Sequence, residues 1–477
     1  MASRLFLANG LRSAKPARLA PSGLLRKGLA TAATETSGAQ PQTKVSRLSN
    51  GLTIATEANP ALKTATVGVW INAGSRAETS ANNGAAHFLE HMSFKGTAKR
   101  SQQDLEMNIE NMGAHLNAYT SREQTVYFAK AFQSDVPASV EILSDILQNS
   151  TLSEDAIERE RDVINREQQE VDKVMEEVVF DHLHATAYQT HSLGRTILGP
   201  KRNIDSLTRA DLKNYISTNY AGDRMVLVGA GAVEHEQLVE LAEKHFGQLK
   251  AQSIVPGSDS TVAPTFVGSE ILVRNDDMDT AHIALAVEGV GWSDPDYFTM
   301  LVMQAIIGSW DRSLGAGVNG SSRLSQVVGS RQIANSYMSF NTSYSDTGLW
   351  GIYLTSQART ELDDVVYFAI KEWSRLHVSV TEAEVTRAKQ QLKAALIFGL
   401  DGTTAVAEDI GRQLLTSGRR MLPNEVAQKI DSVTAADVRR VAGNKLWDQE
   451  LAIVGVGPTE GIPDFTRVRG WNSWNRY

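Results

Sequence analysis

Cysteine is absent from this sequence of 477 residues. Its absence excludes a disulfide scaffold, a cysteine nucleophile and a thiolate metal site, so any metal ion must be bound by histidine and carboxylate side chains. No apolar run approaches the roughly 18 residues that a transmembrane helix needs, and we therefore expect no direct membrane span. With 12 prolines and 7% aromatic residues, the composition is that of a globular protein of two or three domains.

Basic residues are also in the minority. The formal net charge of −8 argues against a nucleic-acid partner, because nucleic-acid-binding proteins usually carry a basic excess. Residues 1–34 are the exception, with six basic side chains, several Ser, Ala and Leu, and no acidic residue. This composition predicts a mitochondrial transit peptide over residues 1–34, and the alternative is a disordered basic tail.

An internal repeat divides the rest of the chain. Three segments recur in the same order at a nearly constant spacing of 226 to 228 residues, which indicates a duplication. The pairs are Leu152–Ala156 with Val380–Glu384, Asp205–Asp211 with Asp431–Asp437, and Val226–Gly231 with Ala452–Gly457. We therefore predict two homologous domains of about 200 residues. The first covers residues 45–245 and the degenerate second copy covers 270–462, with a linker at 246–269 and a C-terminal tail at 463–477.

The hydrophobic pattern within each copy predicts the α+β class. Strand-like segments at Thr66–Ala73, Gln124–Lys130 and Met225–Val233 are separated by long helical patterns, such as Ser134–Leu147 and Glu154–His184. Strands and helices do not alternate strictly. This arrangement favours a largely antiparallel sheet packed with helices over a doubly wound parallel sheet.

The most informative motif is His-x-x-Glu-His at His87–His91. On a helix, His87 and His91 lie on the same face and can bind one ion, while Glu90 lies beside them and can act on a water molecule. Catalytic zinc takes three protein ligands and keeps a fourth position open, so a third ligand is needed. The alternative is a polar helix turn with two solvated histidines.

Two carboxylates further along the chain are candidates for the third ligand. Glu160 and Glu167 are seven residues apart on a predicted helix, and they therefore share a face. One of them could bind the metal while the other orients a ligand histidine. The spacing does not distinguish them, and in such a Glu-rich helix both could instead be solvated.

The segments His87–Thr97 and Glu160–Glu167 resemble the pitrilysin-type metallopeptidases. Within that family, the resemblance to the mitochondrial processing peptidases covers the whole chain. The resemblance implies one Zn²⁺ per chain, bound by His87, His91 and Glu167, with Glu160 as a supporting residue and Glu90 as the general base. In the second copy, Ala388 and Ala395 stand at the positions of the two glutamates, so the zinc site is predicted in the first domain only.

The same resemblance implies a substrate and its contacts. The substrates are the basic, amphipathic presequences of imported mitochondrial precursors, bound in extended form along an edge strand. The residues that match the family's substrate contacts are Phe94, for a bulky side chain beyond the cut; Asn117 and Ala118, on the edge strand; Glu177 and Asp181, for an arginine before the cut; and Tyr337, near the zinc. Without the resemblance, the acidic pair would be interpreted as a solvated helix face and Phe94 as core.

A partner and a location are implied as well. The α subunits of processing peptidases contain a long glycine run, of which this chain has only Gly315–Gly320. A heterodimer with such an α subunit in the mitochondrial matrix is therefore expected. The alternative is a purely structural core protein of ubiquinol–cytochrome c reductase, at the matrix face of the inner membrane. The complete set of metal ligands favours catalysis, and one chain could serve both roles.

Overall fold

The computed structural model describes residues 42–252, 262–315 and 320–474. The predicted transit peptide, part of the predicted linker and most of the Gly315–Gly320 segment lie outside the described residues. Within the described residues, each half of the chain forms one six-stranded sheet with helices on both faces.

The first half builds a sheet in the order β1-β2-β6-β3-β5-β4, in which every neighbouring pair is antiparallel except β2 with β6. Its strands are β1 (Thr43–Arg47), β2 (Thr53–Ala58), β3 (Thr64–Ile71), β4 (His115–Thr120), β5 (Thr125–Phe132) and β6 (Met225–Gly231). Its helices are α1 (Ala85–Met92), α2 (Gln102–Met112), α3 (Val136–Gln148), α4 (Glu154–Val171), α5 (Met175–Ala187), α6 (Lys201–Ser206), α7 (Arg209–Asn219) and α8 (His235–Phe246).

The second half repeats this plan in a sheet ordered β7-β12-β8-β11-β10-β9, with β7 and β12 as the one parallel pair. Its strands are β7 (Ser269–Arg274), β8 (Ala281–Glu288), β9 (Ser309–Asp311), β10 (Ser336–Ser343), β11 (Gly348–Ser356) and β12 (Ala452–Gly457). Its helices are α9 (Tyr297–Ile307), α10 (Arg323–Arg331), α11 (Leu362–Ser379), α12 (Glu382–Gly399), α13 (Thr403–Ser417), α14 (Pro423–Ser432), α15 (Ala435–Lys445) and α16 (Phe465–Trp474).

The duplication inferred from the sequence is visible in the helices. Helices α4 and α12 both have 18 residues and start 228 positions apart, and α7 and α15 both have 11 residues and start 226 positions apart. Each of α7 and α15 begins with a Thr–Asp capping box, in which the threonine hydroxyl and the aspartate carboxylate satisfy backbone amides reciprocally. The predicted α+β class with two homologous units is confirmed.

Strand β3 shows why both faces of the first sheet are covered. Successive side chains of a strand point to opposite faces. Val67, Val69 and Ile71 therefore enter the core beneath α1, α3 and α8, while Trp70 enters a second core on the other face. All four side chains are at most 1% exposed, so a single strand contributes to two hydrophobic cores.

The two halves exchange a helix. Helix α13, from the second half, covers the Trp70 face of the first sheet through Ala407, Ile410 and Leu414. Helix α5, its counterpart 228 residues earlier, covers one face of the second sheet, where Val179 and Leu183 are fully buried. Because each sheet depends on a helix of the other half, the halves interlock.

This exchange corrects one sequence expectation. The continuous helical pattern predicted over Glu154–His184 is broken at Asp172–Val174, between α4 and α5. Val174 is extended, at φ −91° and ψ 90°, and the chain turns there so that the apolar face of α5 can reach the second sheet. The apolar residues of α5 predict a buried face but do not specify which sheet buries it.

The C-terminal segment is part of the packed fold. The predicted tail contains α16, whose Val468 is fully buried and whose Trp471 ring lies 5.3 Å from that of Tyr367 on α11. Across the ranges that the structure describes, no helix combines the length and the apolar character needed to cross a bilayer.

Candidate metal centre

The helix that carries the His-x-x-Glu-His motif is short and amphipathic. Helix α1 has eight residues, and its apolar side directs Phe88, Leu89 and Met92 into the first core. The opposite side presents His87, which is 6% exposed, together with the partly exposed Glu90 and His91. Burial of the apolar face therefore fixes the direction in which the two imidazoles point.

Glu167 of α4 meets both histidines. Its Oε2 atom lies 3.1 Å from His91 Nε2 and 3.7 Å from His87 Nε2. One ligand atom from each of the three residues lies within 4.8 Å of the others, and this is the one such group of three or more among the described residues. Ligands at the usual zinc distances of about 2.0–2.2 Å are roughly 3.3 Å apart around a tetrahedral ion. The three side chains therefore fit a zinc ion.

Glu160 stands behind His91 rather than beside the two Nε2 atoms. Its Oε2 atom lies 3.6 Å from His91 Nδ1, and its Oε1 atom forms an ion pair with Lys95 Nζ at 2.8 Å. The spacing of the two glutamates left open which of them approaches the histidines as a ligand would. The geometry places Glu167 at the imidazole edge that a metal would use and Glu160 at the other edge.

The pKa values of the two histidines are shifted in opposite directions. Burial lowers the pKa of His87 to about 4, so this imidazole is neutral and available as a ligand at physiological pH. Burial also opposes the charge of His91, but the contacts with Glu160 and Glu167 outweigh it and raise the pKa of His91 to about 9. The contact with His91 lowers the pKa of Glu167 to about 2. Burial raises the pKa of Glu90, the direction that suits a general base near neutral pH.

Lys95 was not singled out by sequence analysis. It lies just beyond the end of α1, and its ammonium holds Glu160 in place against His91. Helical spacing could not identify it, because α1 ends at Met92 and Lys95 lies beyond the helix.

The predicted edge-strand residues lie at the rim of the first sheet. Strand β4 is one of the two edge strands of this sheet, Asn117 on it is exposed, and Ala118 is 2% exposed. The backbone N–H of Ala118 donates to the side-chain oxygen of Asn117 at 2.8 Å. Phe94 is partly buried against the first core, with its ring 6.5 Å from that of Tyr127.

Glu177 and Asp181, the acidic pair predicted on α5, are not equally available to bind a substrate arginine. Asp181 accepts hydrogen bonds from Arg122 at 2.6 Å and from Thr196 at 2.8 Å, so its two oxygens already have partners. Burial raises the pKa of Glu177, and the neighbouring charges of Asp181 and Glu176 add to the effect. Arg122 lies 59 residues before Asp181, and no local sequence pattern connects them.

The structure does not bring Tyr337 to the surface of a site. It is 2% exposed, and its hydroxyl bonds to Ser322 at 2.7 Å and donates to the carbonyl of Ile307 at 3.2 Å. Tyr337 belongs to the core of the second half, because alternation along β10 directs it inward. The contact of Tyr337 with a substrate therefore stays a prediction.

The second half has no equivalent of the metal centre among its described residues. The helix that packs on α12 as α1 packs on α4 is α9, whose sequence contains no histidine and no acidic residue. Ala388 is buried and Ala395 is exposed on α12, and neither offers a ligand atom.

Comparison with known proteins gives the family. Residues 53–201 match the model described as insulinase, peptidase family M16, and residues 206–392 match the one described as the peptidase M16 inactive domain. The chain belongs to the M16 peptidase family. The resemblance inferred from the motifs is confirmed, and the two matched M16 domains agree with a metal centre in the first half alone.

Relatives across the M16 family cover nearly the whole chain. The mitochondrial-processing peptidase subunit beta of Neurospora crassa is 58% identical over 100% of both chains. The subunit of that name from Lentinula edodes is 61% identical over 93% of this chain and 96% of its own length. The human one is 53% identical over 91% and 88%. A chain of Candida albicans complex III is structurally similar, with a TM-score of 0.81, 30% identity, and coverage of 90% of this chain and 99% of that one.

Proposed function

We propose that this protein is the catalytic β subunit of a mitochondrial processing peptidase, a zinc endopeptidase that removes presequences from imported precursors. The observation that carries the proposal is the convergence of His87, His91 and Glu167, with Glu90 on the same helix as the histidines. The high identity to processing-peptidase subunits along the entire chain supports the substrate class.

In the proposed reaction, His87, His91 and Glu167 hold the zinc ion. When bound, zinc supplies Lewis acidity that lowers the pKa of water and polarises the scissile carbonyl. Glu90 accepts a proton from the attacking water and returns it to the leaving amine. Glu160 orients His91 through Nδ1, and Lys95 keeps Glu160 ionised and in place.

The peptide is proposed to bind along β4. Asn117 and Ala118 offer the backbone groups of the edge strand, so recognition there tolerates many sequences. A peptide carbonyl that bonds to Ala118 N–H takes the place of the Asn117 side-chain oxygen. Phe94 contacts a bulky side chain beyond the cut, and Glu177 with Asp181 contacts an arginine before it. Because Asp181 is already paired with Arg122, Glu177 supplies the greater part of the charge.

The proposed partner is a processing-peptidase α subunit, in the mitochondrial matrix. The chain alone is expected to be nearly inactive, because the α subunit completes the cavity and admits the substrate. A second role, as a core subunit of ubiquinol–cytochrome c reductase at the matrix face of the inner membrane, is favoured by the similarity to a complex III chain. Retention of all three ligands favours catalysis over a purely structural role.

The test is a set of three single variants, each assembled with an α subunit and assayed on a presequence peptide. Glu90→Gln should lower kcat by about 10²- to 10⁴-fold while keeping bound zinc, because it removes only proton transfer. Glu167→Gln should lose both zinc and activity. Glu170→Gln, on the exposed face of α4, the helix that carries Glu167, is the matched control and should retain zinc and activity. Normal turnover by Glu90→Gln would refute the proposal.

A further inference from the structure

A buried carboxylate outside the metal centre contacts the start of the motif helix. Glu78 is 2% exposed and lies six residues before Gly84, the residue that precedes α1. Its Oε1 atom accepts from the backbone N–H of Ala86 at 2.7 Å, and its Oε2 atom accepts from that of Gly84 at 2.9 Å. The side chain of Asn83 donates to the same Oε2 at 2.7 Å. Three donors thus converge on one carboxylate.

Helix α1 needs such a partner. The first amides of a helix have no intrahelical acceptor, and a capping side chain usually satisfies them. The N-cap residue here is Gly84, which has no side chain. It is at φ +106°, and a Cβ atom there would lie 2.9 Å from the carbonyl oxygen of Leu198, so no larger residue can take over the capping. With only eight residues, α1 is too short to be stable without outside contacts.

Glu78 is itself held by the segment that follows α5. The guanidinium of Arg195 donates to the Glu78 carbonyl. Asn83 donates to the carbonyl of Thr196 at 2.8 Å, and Asn203 donates to the carbonyl of Asn83 at 3.1 Å. The carboxylate therefore meets the first turn of α1 from a fixed position, rather than from a mobile loop.

We propose that Glu78 is a positioning residue for the metal centre, which fixes the first turn of α1 so that His87 and His91 meet Glu167. The bond to Ala86 acts directly beside His87. If the first turn frays, His87 loses its direction first, because it is the ligand nearer to the helix start. The proposal rests on the proposed function, in which this site binds zinc, but it assigns Glu78 no contact with substrate or metal.

The test uses the full-length chain with its α subunit and measures zinc affinity by chelator competition. Glu78→Gln keeps the size of the side chain but turns one acceptor into a donor that faces backbone N–H groups. We expect a 10- to 100-fold loss of zinc affinity, the range typical of groups that orient metal ligands. We also expect a lower kcat that saturating zinc restores, with unchanged KM. Hydrogen exchange at Ala86 and His87 should accelerate.

The matched control is Glu57→Gln, which changes another buried carboxylate of the first half, one that pairs with Arg420 rather than with α1. It should lower the melting temperature without changing zinc affinity. Equal zinc affinity in Glu78→Gln and the wild type, with a melting temperature lowered as in Glu57→Gln, would overturn the proposal. If presequence cleavage is absent even in the wild type, the proposed function fails, while the zinc and hydrogen-exchange results still decide the role of Glu78.

Discussion

Zinc binding at this site is predicted to displace a proton from His91. The contacts with Glu160 and Glu167 raise the pKa of His91 to about 9, so in protein stripped of metal this imidazole is protonated at pH 7. Only the neutral imidazole can bind a metal ion. The apparent zinc affinity should therefore rise about tenfold per pH unit below pH 9, or about 100-fold between pH 6.5 and 8.5, which corresponds to about 2.7 kcal/mol.

His91 and Glu167 also affect the stability of the metal-free protein, with a pH dependence opposite to that of zinc affinity. The raised pKa of His91 gives stability that is fully present below its ordinary value of 6.5 and is lost as the pH rises through about 9. The lowered pKa of Glu167 gives stability that is fully present above its ordinary value of 4.5 and is lost as the pH falls towards about 2. The ion pair therefore stabilises the stripped protein most between pH 4.5 and 6.5, where zinc binds weakly.

The assay is calorimetric titration of zinc in buffers of different ionisation enthalpy, which counts the protons released. We expect close to one proton per zinc at pH 7. Glu160→Gln removes one of the two contacts that raise the pKa of His91, and it should reduce both the proton count and the pH dependence of affinity. Zinc affinity that is independent of pH between 6.5 and 8.5, with no proton release, would show that zinc does not displace a proton from His91.

Two further predictions test the exchange of helices between the halves. Leu183→Ala, in the fully buried face of α5, should lower the free energy of unfolding by about 2–5 kcal/mol. Equilibrium denaturation measures this loss, and a loss under about 0.5 kcal/mol would contradict the packing of α5. Gly411→Ala places a methyl group directly into the ring of Trp70 and should cost about 1–3 kcal/mol by overpacking. Gly399→Ala, on α12 with open space around the glycine, is its size-matched comparison, and Trp70 fluorescence should change in Gly411→Ala alone.

The metal centre was largely predictable because its information is local. A spacing of four residues on one helix places His87 and His91 together, and a spacing of seven keeps Glu160 and Glu167 on one face. The order of the two glutamates around His91 was not predictable from spacing, since it depends on how α4 crosses α1. The family resemblance supplied that order, and the distances to the two Nε2 atoms agree with it.

The features that sequence reasoning missed are those that depend on distant partners. An apolar stripe on α5 predicts a buried face, but nothing in it specifies the sheet of the other half. The pairing of Asp181 with Arg122 joins residues that share no local pattern. Tyr337 was assigned by analogy to a family position, and the alternation along β10 turns it into the core. In each case, tertiary packing decided what the local sequence left undetermined.

The proposed function depends on one zinc ion bound by His87, His91 and Glu167 in the first half of the chain. Anomalous diffraction at the zinc edge, from crystals of the native protein, shows whether that ion is present. We expect a single peak for this chain, about 2.0–2.2 Å from one atom of each of these three residues. If the native protein lacks that peak, or binds zinc through other residues, these three side chains are not the metal site.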